Sequence, residues 1–214
     1  MQVYFISGLG ADRSVFQLLN LDFCKPVFID WIKPRHKESL QHYALRLKEA
    51  YFIADDAVIV GLSFGGMLAT EIAKEFPATK IILLSSSKTK NEIPAFYKLG
   101  KHLPVYKWST HFIQKAIMQA LVYRFGVHSK TGKDIYSNVV SNTNISFNNW
   151  AIWALLHWNN TTIPANVTHV HGTADKILPY KNVTANITIA SGGHLMVMEN
   201  AAEISAILRQ LLIS

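Results

Sequence analysis

Ser63, Asp175 and His194 are the residues of this sequence whose types and spacing suggest reaction chemistry. Ser63 lies in Gly61-Leu62-Ser63-Phe64-Gly65. That pattern comes directly after the β-branched run Val58-Ile59-Val60 and directly before helical periodicity to about Phe76. A strand that turns sharply into a helix through such a serine lifts the hydroxyl above the sheet edge. It also aims the helix N-terminus, with its unpaired N–H groups, at the same spot. Small neighbours are required because the serine takes a cramped, positive-φ backbone. A serine alone is a weak nucleophile; it needs a base for its proton and an acid to orient the base. His194 follows the last strand signal in Ser191-Gly192-Gly193-His194, where the glycines permit close approach to the serine. Asp175 follows the preceding strand, in a turn stiffened by Pro179. The order Ser63, Asp175, His194 is the one expected of a strand–turn–helix nucleophile.

A tetrahedral intermediate also needs donors for its oxyanion. The backbone N–H of Phe64, the residue after the serine, is one candidate. The N–H of Leu9 is the other, because Gly8 and Gly10 let the turn after the first strand approach closely. Trp150, Trp153 and His157 fall on one helical stretch and are candidate pocket residues, with ordinary packing as the alternative. Asp30, after the second strand, is a reserve acid. His169 and His171 lie within a strand and read as packed or surface residues. The pair shares one strand face, but no further ligand set accompanies it, so no metal is expected. Gly8-x-Gly10 is followed by Arg13 where a dinucleotide fingerprint needs glycine, so no nucleotide cofactor is expected either.

The elements that must position these groups follow an alternating plan. Gln2–Ile6, Pro26–Ile32, Val58–Leu62 and Lys80–Leu84 read as strands. Helices are expected from the Ser39 cap to about Phe52 and from Phe64 to Phe76. Strand signals return at Val167–His171 and Asn186–Ala190, before a closing amphipathic helix from about Ala201 to Leu212. This pattern predicts an α/β fold, a parallel sheet with helices on its faces. Residues 1–87 and 161–214 form the core of that plan. Residues 88–160 read as an all-helical insertion, with helices at Pro94–Gly100, Thr110–Phe125 and Ser146–Trp158. Polar links such as His128–Lys133 join them.

Half of the 214 residues are apolar, which is the composition of a globular domain. No apolar run is long enough to span a bilayer. The first residues read as a strand and not as a leader peptide. The single cysteine, Cys24, excludes an internal disulfide and fits a reducing compartment, so a cytoplasmic location is expected. The net charge of +7 is concentrated: residues 88–134 hold nine Lys or Arg against two acids, Glu92 and Asp134. Such a basic segment can steer an anionic substrate or an acidic carrier, but a solvated helical surface is the reading its charge favours. No nucleic-acid recognition motif accompanies the charge.

The sequence resembles the α/β-hydrolase superfamily, in particular small bacterial carboxylesterase-like members with a helical cap. The resemblance rests on Gly8-Leu9-Gly10, on Gly61-Leu62-Ser63-Phe64-Gly65-Gly66, on His171-Gly172-Thr173-Ala174-Asp175 through Pro179, and on Gly192-Gly193-His194. It implies a sheet trimmed to about six strands, and it makes residues 88–160 the cap that forms a substrate pocket. Where many members have His-Gly at the oxyanion turn, this chain has Ser7-Gly8, so the local hydrogen bonds must differ. The function expected is a serine hydrolase that cleaves a carboxylic ester or thioester through an acyl-enzyme on Ser63. Its partner would be a small acyl substrate, with an anionic or carrier-linked one among the options. A ligand-binding protein with slow or no turnover, or a lyase using the same three residues as a base, are the alternatives.

Overall fold

The structure, a computed structural model, describes residues 1–98 and 111–213. The strands are β1 (Gln2–Ile6), β2 (Lys25–Ile29), β3 (Val58–Leu62), β4 (Lys80–Leu84), β5 (Val167–Gly172) and β6 (Ile187–Ile189). They form one parallel sheet in the order β2-β1-β3-β4-β5-β6. The chain leaves β1 toward β2 on one side and returns to β3 on the other. The carboxyl ends of β1 and β3 therefore make a switch point, where a crevice opens in this class of sheet.

The two-residue period of a strand divides the core. Ile6, Ile59, Ile81 and Leu83 face one cluster, covered by helices α1 (Leu40–Ala50) and α2 (Phe64–Glu75). Phe5, Val58, Val60, Leu62, Ile82 and Leu84 face the other. Strand β3 is buried throughout, as expected for a strand with covered faces. Ser39 caps α1 by accepting the His42 N–H at 3.2 Å, in agreement with the sequence. Strand β2 ends at Ile29, three residues earlier than its β-prone run suggests. The Tyr43 hydroxyl donates to the Ile32 carbonyl and accepts the Ile32 N–H, which takes the place of a strand partner.

Between β4 and β5 lie α3 (Ala95–Lys98), α4 (His111–Ala120), α5 (Lys130–Asn142) and α6 (Ile145–His157). No strand occurs among the described residues of this stretch. The expected helix ends at Gly100 and Thr110 lie outside the described residues. The expected polar link His128–Lys133 is corrected: Ser129 caps α5, which already begins at Lys130. The apolar face of α5 is short and broken by Ser, Thr and Asn, which weakens its periodicity in sequence. Its Ile135, Tyr136, Val139 and Val140 pack into one core cluster, whereas Phe147, Trp150, Ala151 and Ala154 of α6 pack into the other. The inserted helices thus straddle the carboxyl edge of the sheet. The short α7 (Met196–Glu199) and α8 (Ala201–Ile213) close the second face. No helix of the described residues is long and apolar enough to cross a membrane.

Candidate active site

Ser63 stands between β3 and α2 at φ 50 and ψ −117. The flanking glycines make that turn possible by close approach. A Cβ on Gly65 would lie 2.3 Å from the Ile6 and Ser7 carbonyl oxygens, and one on Gly61 would lie 2.5 Å from the Gly66 Cα. The Ser63 carbonyl accepts the Gly66 N–H at 3.0 Å and the Ser86 hydroxyl at 2.6 Å. Ser86 belongs to the serine run after β4. No local pattern signals that it braces the backbone of Ser63, because the two meet only through strand pairing.

The three residues singled out by type and spacing converge. The His194 Nε2 is 2.8 Å from the Ser63 Oγ, and the His194 Nδ1 is 2.7 Å from the Asp175 Oδ2. An ionised carboxylate only accepts, so Nδ1 carries the ring proton and Nε2 is free to accept the serine hydroxyl. The Asp175 Oδ1 accepts the Ile177 and Leu178 amides at 2.8 and 2.9 Å. Burial pushes the Asp175 carboxyl up, but the His194 ring, the Leu178 amide and His171 outweigh it and hold the carboxyl below its ordinary value. The reserve acid Asp30 is exposed at the end of edge strand β2.

Gly8, Leu9 and Gly10 form a tight turn closed by the Ala11 N–H to the Gly8 carbonyl, with Gly10 at φ +75. Ser7 stabilises it by donating to the Ala11 carbonyl at 2.9 Å, and the Trp31 indole donates to the same oxygen. Among the described residues neither the Leu9 nor the Phe64 amide is engaged by a hydrogen bond, and both residues border the same cavity as Ser63.

That cavity has a volume of about 580 Å³. Its described lining is apolar apart from Ser63, His194, Gln114, Asn148 and two tyrosines, and it contains no Asp, Glu, Lys or Arg. Trp150, Trp153 and His157 lie elsewhere. Trp150 turns inward, packs at a tilt against Tyr43 with centroids 4.2 Å apart and donates to the Glu38 carbonyl. Trp153 stacks on the exposed His157. The face of α6 that lines the cavity is Asn148, Ile152, Leu155 and Leu156. Helix α6 is apolar on several sides, so its periodicity does not select the inward face.

The glycines beside His194 serve a different purpose from the one expected. A Cβ on Gly193 would sit 2.7 Å from the Gly126 Cα, and one on Gly172 would sit 2.2 Å from the Gly192 carbonyl oxygen. They let backbones pack against each other instead of admitting the serine. The Leu195 N–H also donates to the Phe125 carbonyl at 2.9 Å, so the loop of His194 is tied to the turn that follows α4.

Behind Asp175 both strand histidines are fully buried. Burial, with the neighbouring His171 and Lys88, lowers His169 to about 3. An unfolded histidine has a value of about 6.5, so below that pH the unfolded chain binds a proton that the folded chain refuses. This stabilisation is complete above about pH 6.5 and declines toward pH 3, by up to about 1.4 kcal/mol per unit. The melting temperature of the wild type should therefore fall from pH 6.5 downward, and that of His169→Gln should fall less steeply. Parallel slopes in thermal melts between pH 7 and 4 would contradict this account.

A model of the alpha/beta hydrolase family matches residues 3–207. A hydrolase from Pseudomonas aeruginosa superposes with a TM-score of 0.78 at 14% identity, covering 100% of this chain and 90% of that one. A thermophilic esterase from Thermogutta terrifontis gives 0.75 at 16% identity, covering 99% and 89%. A bromoperoxidase from Bacillus anthracis gives 0.75 at 12% identity, covering 100% and 92%. No curated protein matches the sequence. At such identities the structural likeness concerns the fold.

Proposed function

The chain belongs to the alpha/beta hydrolase family, and from that premise we propose that it is a serine hydrolase cleaving neutral carboxylic esters or thioesters with an apolar acyl group. The observation that carries this reading is the hydrogen-bonded line Ser63–His194–Asp175 bordering an apolar cavity. Ser63 Oγ attacks the carbonyl carbon while His194 Nε2 takes its proton. The oxyanion is received by the Leu9 and Phe64 amides, which are directed by the tight turn and by the N-terminus of α2. His194 then returns the proton to the departing alcohol or thiol. Water, activated by the same ring, releases the acid and restores Ser63. Residues 88–160 act as the cap, since α4, α5 and α6 supply much of the cavity wall.

The lining favours an uncharged acyl group. A carboxylate or phosphate inside the cavity would meet no Lys or Arg among the described lining residues and would be costly to desolvate there. Any steering by the described basic residues of that segment acts outside the cavity, on the approach of a substrate. A cytoplasmic setting, with its thioesters, accords with the lone thiol Cys24.

Intact-mass labelling with a fluorophosphonate tests this reading. One adduct is expected, on the peptide that contains Ser63, together with turnover of neutral short- and medium-chain esters. A folded protein that takes no adduct and turns over no ester would overturn it and favour a binding protein.

A further inference from the structure

His169 and His171 form a fully buried polar pair that the proposed reaction does not use. They project from one face of β5, with rings 5.0 Å apart and nearly perpendicular. The His171 Nε2 is 2.8 Å from the Leu178 carbonyl and 3.4 Å from the Asp175 Oδ2. The His169 Nε2 is 3.0 Å from the His171 Nδ1. The Nδ1 of His169 has no hydrogen-bond partner among the described residues.

Donor counting fixes both tautomers. A carbonyl only accepts, so the His171 Nε2 carries a proton. Its Nδ1 is then an acceptor and must receive the Nε2–H of His169. The remaining His169 nitrogen is an unfilled acceptor, which matches its lack of a partner. Both rings are neutral, in keeping with burial lowering each of them. One N–H edge of His171 therefore faces the carbonyl of Leu178 and the carboxylate oxygen that holds His194. The Leu178 amide donates to the other Asp175 oxygen. The loop 175–178 is thus held at both its N–H and its C=O by groups that converge on Asp175.

We propose that His171 is a positioning residue for the reactive site: it holds the 175–178 loop and supplies Asp175 with an N–H dipole, while His169 locks the His171 tautomer. This rests on reading Ser63, His194 and Asp175 as the reacting set. His171 is absent from the described cavity lining, so it acts through Asp175 and not on substrate. The other titratable or charged groups around the pair are Lys88 and Glu92 after β4, Tyr180 after β5, Tyr97 on α3 and His194 after β6.

The test compares His171→Leu, His171→Gln, His169→Leu and His169→Gln in the full chain. Glutamine retains a donor where each imidazole Nε2–H lies; leucine does not. Histidine-ring ¹H–¹⁵N spectra should show Nε2–H tautomers at both positions in the wild type. They should also show a displaced Nδ1–H resonance of His194 in both leucine variants, returned toward the wild-type position in both glutamine variants. Ester kcat/KM should fall about tenfold to a hundredfold in His171→Leu with little change in KM, as expected of a misplaced reacting group. Its acid limb should move to higher pH, because a carboxylate with one donor fewer draws the proton shared with His194 more strongly. A mere packing defect would lower the rate without moving either the limb or the resonance.

An unmoved His194 resonance and acid limb in His171→Leu would overturn the proposal, as would equal behaviour of the leucine and glutamine variants. If His171→Leu does not fold, the His169 pair decides by the same criteria. The spectra need no substrate, so a wild type inert to ester and fluorophosphonate would refute the proposed reaction and still leave this inference testable.

Discussion

Ser63→Ala should lose ester turnover by roughly a millionfold, the scale seen when a serine nucleophile that acts as one unit with its base is removed. The fluorophosphonate adduct should disappear. The fold should survive, because the contacts that hold this turn are made by the Ser63 backbone: its N–H donates to the Leu84 carbonyl, and its own carbonyl receives Ser86 and Gly66. The residue also stores strain. At φ 50 and ψ −117 a side chain is disfavoured and glycine is not. Ser63→Gly should therefore be inactive yet more stable than Ser63→Ala by about 1 kcal/mol. Thermal melts and ester assays on the two variants check both statements. Residual turnover within a hundredfold of the wild type would mean that another group attacks the substrate.

Asp175→Asn should lower kcat/KM near neutral pH by about 10⁴-fold while the protein remains folded. The size follows from how the side chain is held. Its Oδ1 accepts two backbone amides, from Ile177 and Leu178, and an asparagine must keep its oxygen there. The amide NH₂ then replaces Oδ2 and faces the Nδ1 of His194 at the former 2.7 Å contact. A donor there forces the imidazole into the Nε2–H tautomer, which cannot take the Ser63 proton. The same NH₂ also meets the N–H edge of His171, 3.4 Å from the present oxygen. Fluorophosphonate labelling should slow in proportion to turnover, since both need the same lone pair. A loss smaller than tenfold would show that His194 is oriented by something other than Asp175.

Much of the architecture was legible because it is written in local patterns. A three-residue β-branched run, a glycine–serine turn and a helical period specify strand, elbow and helix wherever they stand in the chain. The chain order of strands and helices then restricts the sheet to parallel crossovers. The positions of Ser63, Asp175 and His194 followed from the rule that reacting groups in such a sheet gather beyond the carboxyl ends of its strands. Helix α5 was missed for the converse reason. Its polar, small residues carry little periodic signal, and packing against the turn after β1 stabilises it.

The sequence by itself determined the strand–helix order, the sharp turn at Ser63 and the ends of β5 and β6 after which Asp175 and His194 stand. Tertiary structure alone decided which face of α6 lines the cavity, that Ser86 braces Ser63, that Gly126 and Gly193 meet, and that His171 points at Asp175. The first three bring together residues far apart in sequence; His171 and Asp175 are only four apart, and the turn of the chain after β5 sets one against the other. Local propensity fixes backbone conformation within a few residues, whereas the rotation of a helix about its axis is fixed by the surfaces that it buries. Where a segment is apolar on several sides, as α6 is, those surfaces exist only once the chain has folded.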